Sequence, residues 1–180
     1  MNLFILDQSA ITAAKYNADT HVCKIILESA QMLALAHQHH HKPFGATSPQ
    51  ALIDGKYTPQ SQRNNPISVW VRSTLGNYSW TADHAIALCE EYTDRYSKIH
   101  STQPIIEYLY NNPPMGDNQQ ITEFVQSMPD DVKGPDPVQA YRKYYVHYKR
   151  HLIRYRNGNM PMWYAQELRQ LLESSQPLGS

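Results

Sequence analysis

The stretch Asp19 to Gln38 reads DTHVCKIILESAQMLALAHQ and is apolar around nearly its whole circumference. As a helix it makes about five and a half turns at 3.6 residues per turn. His21, Lys24, Glu28, Gln31 and Gln38, with Leu35 among them, form a single polar line. That line spans a sector of about 100°. A helix apolar on the rest of its surface is a buried helix. One charged line on such a helix either grazes solvent through a slot or lines a site.

At 180 residues the chain is long enough for one domain burying roughly 70 % of its unfolded surface. Lysine plus arginine balance aspartate plus glutamate, so charge acts locally and no global field selects a partner. Mean hydropathy is −0.60, and every apolar run falls short of the ~20 residues that span a bilayer. Met1-Asn2 has no basic region and Leu3 to Leu6 is too short for a signal core. A cytoplasmic location, in a host cell, is the expectation. Cys23 and Cys89 fall opposite the polar lines of their helices, so both are expected buried, reduced and unbonded. Thirteen tyrosines against three phenylalanines imply a core with internal hydrogen bonds.

Along the chain, Leu3 to Leu6 is a short extended segment, and Asp7 is placed to cap a helix through about Tyr16. The main helix follows, with Asp19 as its expected cap. Residues 39–64 carry Gly45, Pro49, Gly55 and Pro59 and read as a long loop, with one helical turn at Gln50 to Ile53. Phe44, Leu52, Ile53 and Tyr57 would anchor it as a lid over a cleft, the alternative being a disordered insertion. Asn65-Pro66 is a helix start, and helical periodicity runs from there to about Lys98, with Gly76 a point of kinking. Pro104 to Tyr110 is a shorter helix and Ile121 to Met128 a further candidate. Residues 129–136 form a linker ending in a second start signal, Asp136-Pro137. A basic, tyrosine-rich helix then runs to about Arg156 and stops at Asn157-Gly158. Met160-Pro161 opens the last helix, and 176–180 is a frayed tail. The fold class expected is all-α: a single-domain helical bundle with a short extended N-terminus and a long loop between two long helices.

The second long helix carries its own polar line: Ser73, Asn77, Trp80, His84, Glu91, Arg95 and Lys98. His84 and Glu91 are seven apart, as are His21 and Glu28. If the two lines face one cleft, these four are the candidate acid–base residues, since histidine titrates near neutrality and needs only a carboxylate to orient it. Lys24, Gln31, Ser73, Asn77, Trp80 and Arg95 are then candidate substrate contacts. The bland alternative is that each line is a solvated face. Residues seven apart on a helix lie about 10.5 Å apart along its axis, too far to share an ion, and no HExxH pair occurs. A divalent metal therefore has weak support, with an ion shared by His21 and His84 as the remaining arrangement.

Tyr141 to Arg156 holds six lysines or arginines, two histidines and no acid. Its tyrosines share a stripe with Leu152, which reads as a core face beneath a basic outer face. Arg142, Lys149, Arg150 and Arg154 on that outer face are the candidate phosphate or nucleic-acid contacts. No phosphate-binding glycine loop, serine elbow, paired-cysteine zinc motif or HD-type phosphohydrolase pattern is present.

The opening MNLFILD, then DTHVCKIILESAQML, NPISVWVRSTLGNYSW, CEEYTDRY and YRKYY resemble a family of small proteins found mainly in bacteriophage genomes. The resemblance spans most of the chain except Pro43 to Arg63. That family has no established activity, so the resemblance implies a setting, phage nucleotide or DNA metabolism or the countering of a host, and no residue roles. The leading expectation is a small enzyme, hydrolase or transferase, acting on a nucleotide or DNA base by acid–base chemistry. The alternative is a non-catalytic protein binding DNA or a host protein through the basic 141–156 helix.

Overall fold

The computed structural model describes residues 2–156 and 160–174, and within them the chain is all-α with no strand. Eight α-helices are described: α1 Ala10–Lys15, α2 Asp19–His39, α3 Gln50–Ile53, α4 Pro66–Val71, α5 Leu75–Tyr96, α6 Gln103–Asn111, α7 Pro137–Lys149 and α8 Met162–Ser174. The helix stop at Asn157-Gly158 and the tail 176–180 lie outside the described residues. No helix among those described is long and apolar enough to cross a membrane.

The apolar circumference of α2 explains its place at the centre. It packs chiefly on α5 and also touches α4 and α6, while α1 packs on α5 and α7 on α8. Val22, Ile25, Ile26, Ala30, Met32, Leu33, Ala34 and Ala36 are all buried. Leu3, Phe4, Ile5 and Leu6 are buried without regular secondary structure, and the Leu6 N–H turns back to donate to Phe4 O at 3.0 Å. Phe4 sets its ring against His21 and Tyr145 at centroid distances of 4.6 and 5.0 Å. Burial of the tyrosines is matched by hydrogen bonds: Tyr78 donates to the Leu109 carbonyl and Tyr141 to that of Val125, each at 2.8 Å.

Helix starts follow side-chain chemistry where a cap is present. Asn65 accepts from the Ile67 N–H, and Asp136 from those of Val138 and Gln139. Ser9, rather than Asp7, caps α1, and Asp7 instead accepts from the Ser9 N–H. Asp19 lies inside the first turn of α2, because Ala18 holds the cap position and the Asp19 carboxylate is drawn to Arg95.

The expected helix from Pro66 to Lys98 is two helices. The chain breaks at Arg72 to Thr74, where Thr74 caps α5 by accepting from the Asn77 N–H. Gly76 is not the break. It sits in the first turn of α5, where a β-carbon would come within 2.4 Å of the Gln119 carbonyl oxygen. Gln119 and Gln120 press against it, and the candidate helix 121–128 that follows has no regular secondary structure, because other elements take the polar groups of 120–125. Thr74 donates to Gln120 O, Asn77 Oδ1 accepts from the Thr122 N–H, and Val125 O receives Tyr141. Likewise α7 ends at Lys149, and Arg150–Leu152 form a single 3-10 turn.

Residues 39–64 contain α3, as the sequence suggests, and a 3-10 turn at Gln60–Gln62. They fold onto the C-terminal end of α2. Phe44 stacks on His37 at 4.9 Å, Leu52 is buried and Tyr57 packs on the core, while Ile53 stays exposed. α2 closes in a left-handed turn: Lys42 N–H donates to His37 O, His41 N–H to Gln38 O, and His41 sits at φ 51°. Glycine is the usual residue at this position of a helix terminus. A residue with a β-carbon there carries backbone strain of about 1–2 kcal/mol.

Cys23 and Cys89 are both free thiols. Cys89 is buried, and burial, with Glu107 and Glu90 nearby, pushes its thiol up to about 12. Cys23 is only half-buried, since it looks out beside Tyr96.

Candidate ligand-binding site

At the N-terminal end of α2, the polar line opens into a cavity of about 220 Å³. Its walls include His21, Lys24 and Glu28 from α2, Lys149 from the end of α7, and Asn2 and Phe4 from the N-terminal segment. Three separate parts of the chain thus converge on it, which is why helix periodicity could mark the α2 face yet not its partners.

The geometry of His21 is determined by Tyr145. The Tyr145 hydroxyl accepts the Ala18 N–H at 2.8 Å and lies 2.5 Å from His21 Nδ1. Burial drives the phenol well above its ordinary value, so it keeps its proton. That buried proton needs an acceptor, and Nδ1 supplies it. The imidazole is then fixed as the Nε2–H tautomer. Burial, together with the positive charges of Lys149 and Lys24, lowers the His21 pKa to about 4. At neutral pH it is an uncharged hydrogen-bond donor, and the expectation that it titrates near neutrality is corrected. Glu28 is mostly buried. Its Oε2 accepts from the Asn2 N–H at 2.9 Å, and its Oε1 stands 3.6 Å from Lys24 Nζ. Lys149 lies over the Tyr144 ring, 5.1 Å from its centroid. The cavity therefore holds two ammonium groups, one neutral donor and one carboxylate on an apolar floor.

The polar line of α5 does not line this cavity. Its residues are engaged inside the fold. His84 is fully buried, stacked on Trp80 at 5.2 Å, with Asn17 Nδ2 3.5 Å from its Nε2. Burial lowers its pKa to about 3. Arg95 is buried and donates to Glu91, to Asp19 and to the carbonyls of Asn17 and Lys15. Glu91 and Arg95 thereby tie α5 to the junction of α1 and α2. Asn77 donates to Trp70 O, Ser73 Oγ and Thr122 Oγ1, Ser73 donates to Trp70 O, and Trp80 Nε1 donates to Gln8 O. These three bind the chain to itself rather than facing the His21 cavity. The two histidines do share one corner: His84 meets the Asn17 side chain, and His21 reaches the adjacent Ala18 N–H through Tyr145.

Gln31 is half-buried and outside the cavity. Arg142 is withdrawn from the outer basic face, since it donates to Leu6 O, pairs with Asp7 at 3.5 Å and lies over the Trp163 ring at 5.1 Å. Arg150 and Arg154 are exposed, on either side in sequence of Leu152, which lines the cavity. No residue of 39–64 lines it. The lid expected from that segment is instead packed at the far end of α2, because His21 and His37 are separated by about 24 Å of helix. Among the described residues no group of three or more His, Cys, Asp or Glu side chains could hold a metal ion. The chain matches no protein-family model, no curated protein and no solved structure.

Proposed function

We propose that the protein is a small enzyme acting on a nucleotide or a nucleotide unit of DNA, held by its phosphoryl group in the His21 cavity. The observation that supports this most is the pairing of Lys24 and Lys149, from different helices, on one imidazole whose pKa both of them lower. Two ammonium groups and an Nε2–H donor suit the oxygens of a phosphate. A cavity of about 220 Å³ is smaller than the roughly 300–1,000 Å³ of sites for drug-sized ligands. It suits a phosphoryl group with the adjoining sugar. Glu28, held by the Asn2 N–H, is the general base for hydrolysis or group transfer, and His21 and the lysines stabilise charge developing on the phosphoryl oxygens. The resemblance to phage proteins adds a setting in nucleotide or DNA metabolism. The test is Glu28→Gln, which should abolish turnover of a bound nucleotide with little loss of affinity.

Exposed Arg150 and Arg154, which flank the cavity residue Leu152 in sequence, favour a second reading, DNA or host-protein binding without turnover. Charge reversal at these two positions would then weaken binding more than Glu28→Gln does.

A further inference from the structure

The far end of α2 carries a larger hollow, of about 540 Å³, between the helix terminus and residues 42–58. Its volume falls in the range of small-molecule sites. Phe44, stacked on the buried His37, forms one apolar wall with Leu52, and Ile53 stands exposed at the rim. Besides His37, the polar groups on the hollow are the side chains of Gln38, His41, Lys42 and Thr58, and no carboxylate lines it. Such a site is apolar on its faces and rich in donors and acceptors at its edge.

His41 supplies an independent observation. It occupies the left-handed turn that closes α2, at φ 51°, where glycine relieves strain. Its side chain nevertheless lines the hollow. Strain kept in the backbone at a cavity wall points to a use for the side chain that imposes it.

We propose that this hollow is a second ligand site, for a planar heteroaromatic ring of the nucleobase type. The ring stacks against Phe44 and its polar edge meets His41. Stacking on an aromatic face accepts any base, while the imidazole, with one donor and one acceptor nitrogen, reads the edge. This site stands apart from the His21 cavity and does not depend on the function proposed for it.

The experiment is a titration of the full-length protein with adenosine, followed in ¹H–¹⁵N spectra. A nucleoside carries no phosphate, so it bypasses the interaction proposed at Lys24 and Lys149. Saturable shifts confined to 37–44 and 52–58 are expected. Absence of saturable shifts there overturns the site. His41→Gly separates function from folding: it should melt about 2–4 °C higher yet bind adenosine roughly tenfold more weakly. His41→Asn tolerates the same backbone and keeps a polar edge, so it should retain most of the affinity. Adenosine binding unchanged in His41→Gly would overturn the role of His41.

Discussion

The Tyr145 hydroxyl stands 2.5 Å from Nδ1 of His21 while accepting the Ala18 N–H. One phenol therefore joins the first turn of α2 to α7 and sets which ring nitrogen of His21 carries the proton. Tyr145→Phe leaves the Ala18 N–H and Nδ1 without that partner. A loss of about 1–3 kcal/mol in urea unfolding is expected. In the folded variant, imidazole ¹⁵N shifts should report a mixture of tautomers at His21, where the native protein shows one.

Arg95 has the opposite significance, structural and remote from ligand. Its guanidinium is nearly inaccessible and serves both Asp19 and Glu91. Arg95→Met leaves two carboxylates in low-dielectric surroundings, and a loss of about 3–5 kcal/mol is expected. Glu91→Gln should lower stability less and leave nucleotide affinity at its native value, which calorimetric titration of the folded variant would show.

Gly76 tests the packing of 118–122 on α5. Its N–H donates to Asn118 O, and a β-carbon would also fall 2.5 Å from the Gln120 carbonyl. Both neighbours are backbone, so no rotamer change relieves the clash. Gly76→Ala should destabilise by about 1–3 kcal/mol despite alanine's higher helix propensity, as denaturant titration would reveal.

Acid should unfold the protein over a defined window. His21, His37 and His84 are held neutral by burial, with pKa values lowered from 6.5 to about 4, 4 and 3. The unfolded chain binds protons at these sites first, so stability is full above about pH 6.5 and falls as pH drops toward 4 and below. His84→Gln should flatten this dependence, as seen in melting temperature measured across pH 4 to 7.

The course of α2 was legible because its residues leave so little polar surface, and Lys24 and Glu28 do lie where that line meets a cavity. Asn65 and Asp136 were legible because capping is local chemistry. The α5 line misled because periodicity identifies a face and not what the face meets: His84, Asn77 and Arg95 look like a solvated or catalytic stripe, yet they are buried against Asn17, Thr122 and Asp19. The break at Arg72 to Thr74 depends on 118–122 returning from far along the chain, a contact that local sequence does not encode. Tyr145 escaped notice as a site residue for the same reason, since its stripe position marked it as core, and only its hydroxyl reaches His21.

The most direct measurement is calorimetric titration of the native protein and of Lys149→Gln with deoxynucleoside monophosphates. Phosphoryl binding beside His21 predicts saturable heat with the native protein and affinity at least roughly tenfold weaker in the variant, a difference of about 1.4 kcal/mol. Equal affinity in both proteins, or no binding to the native one, would contradict it.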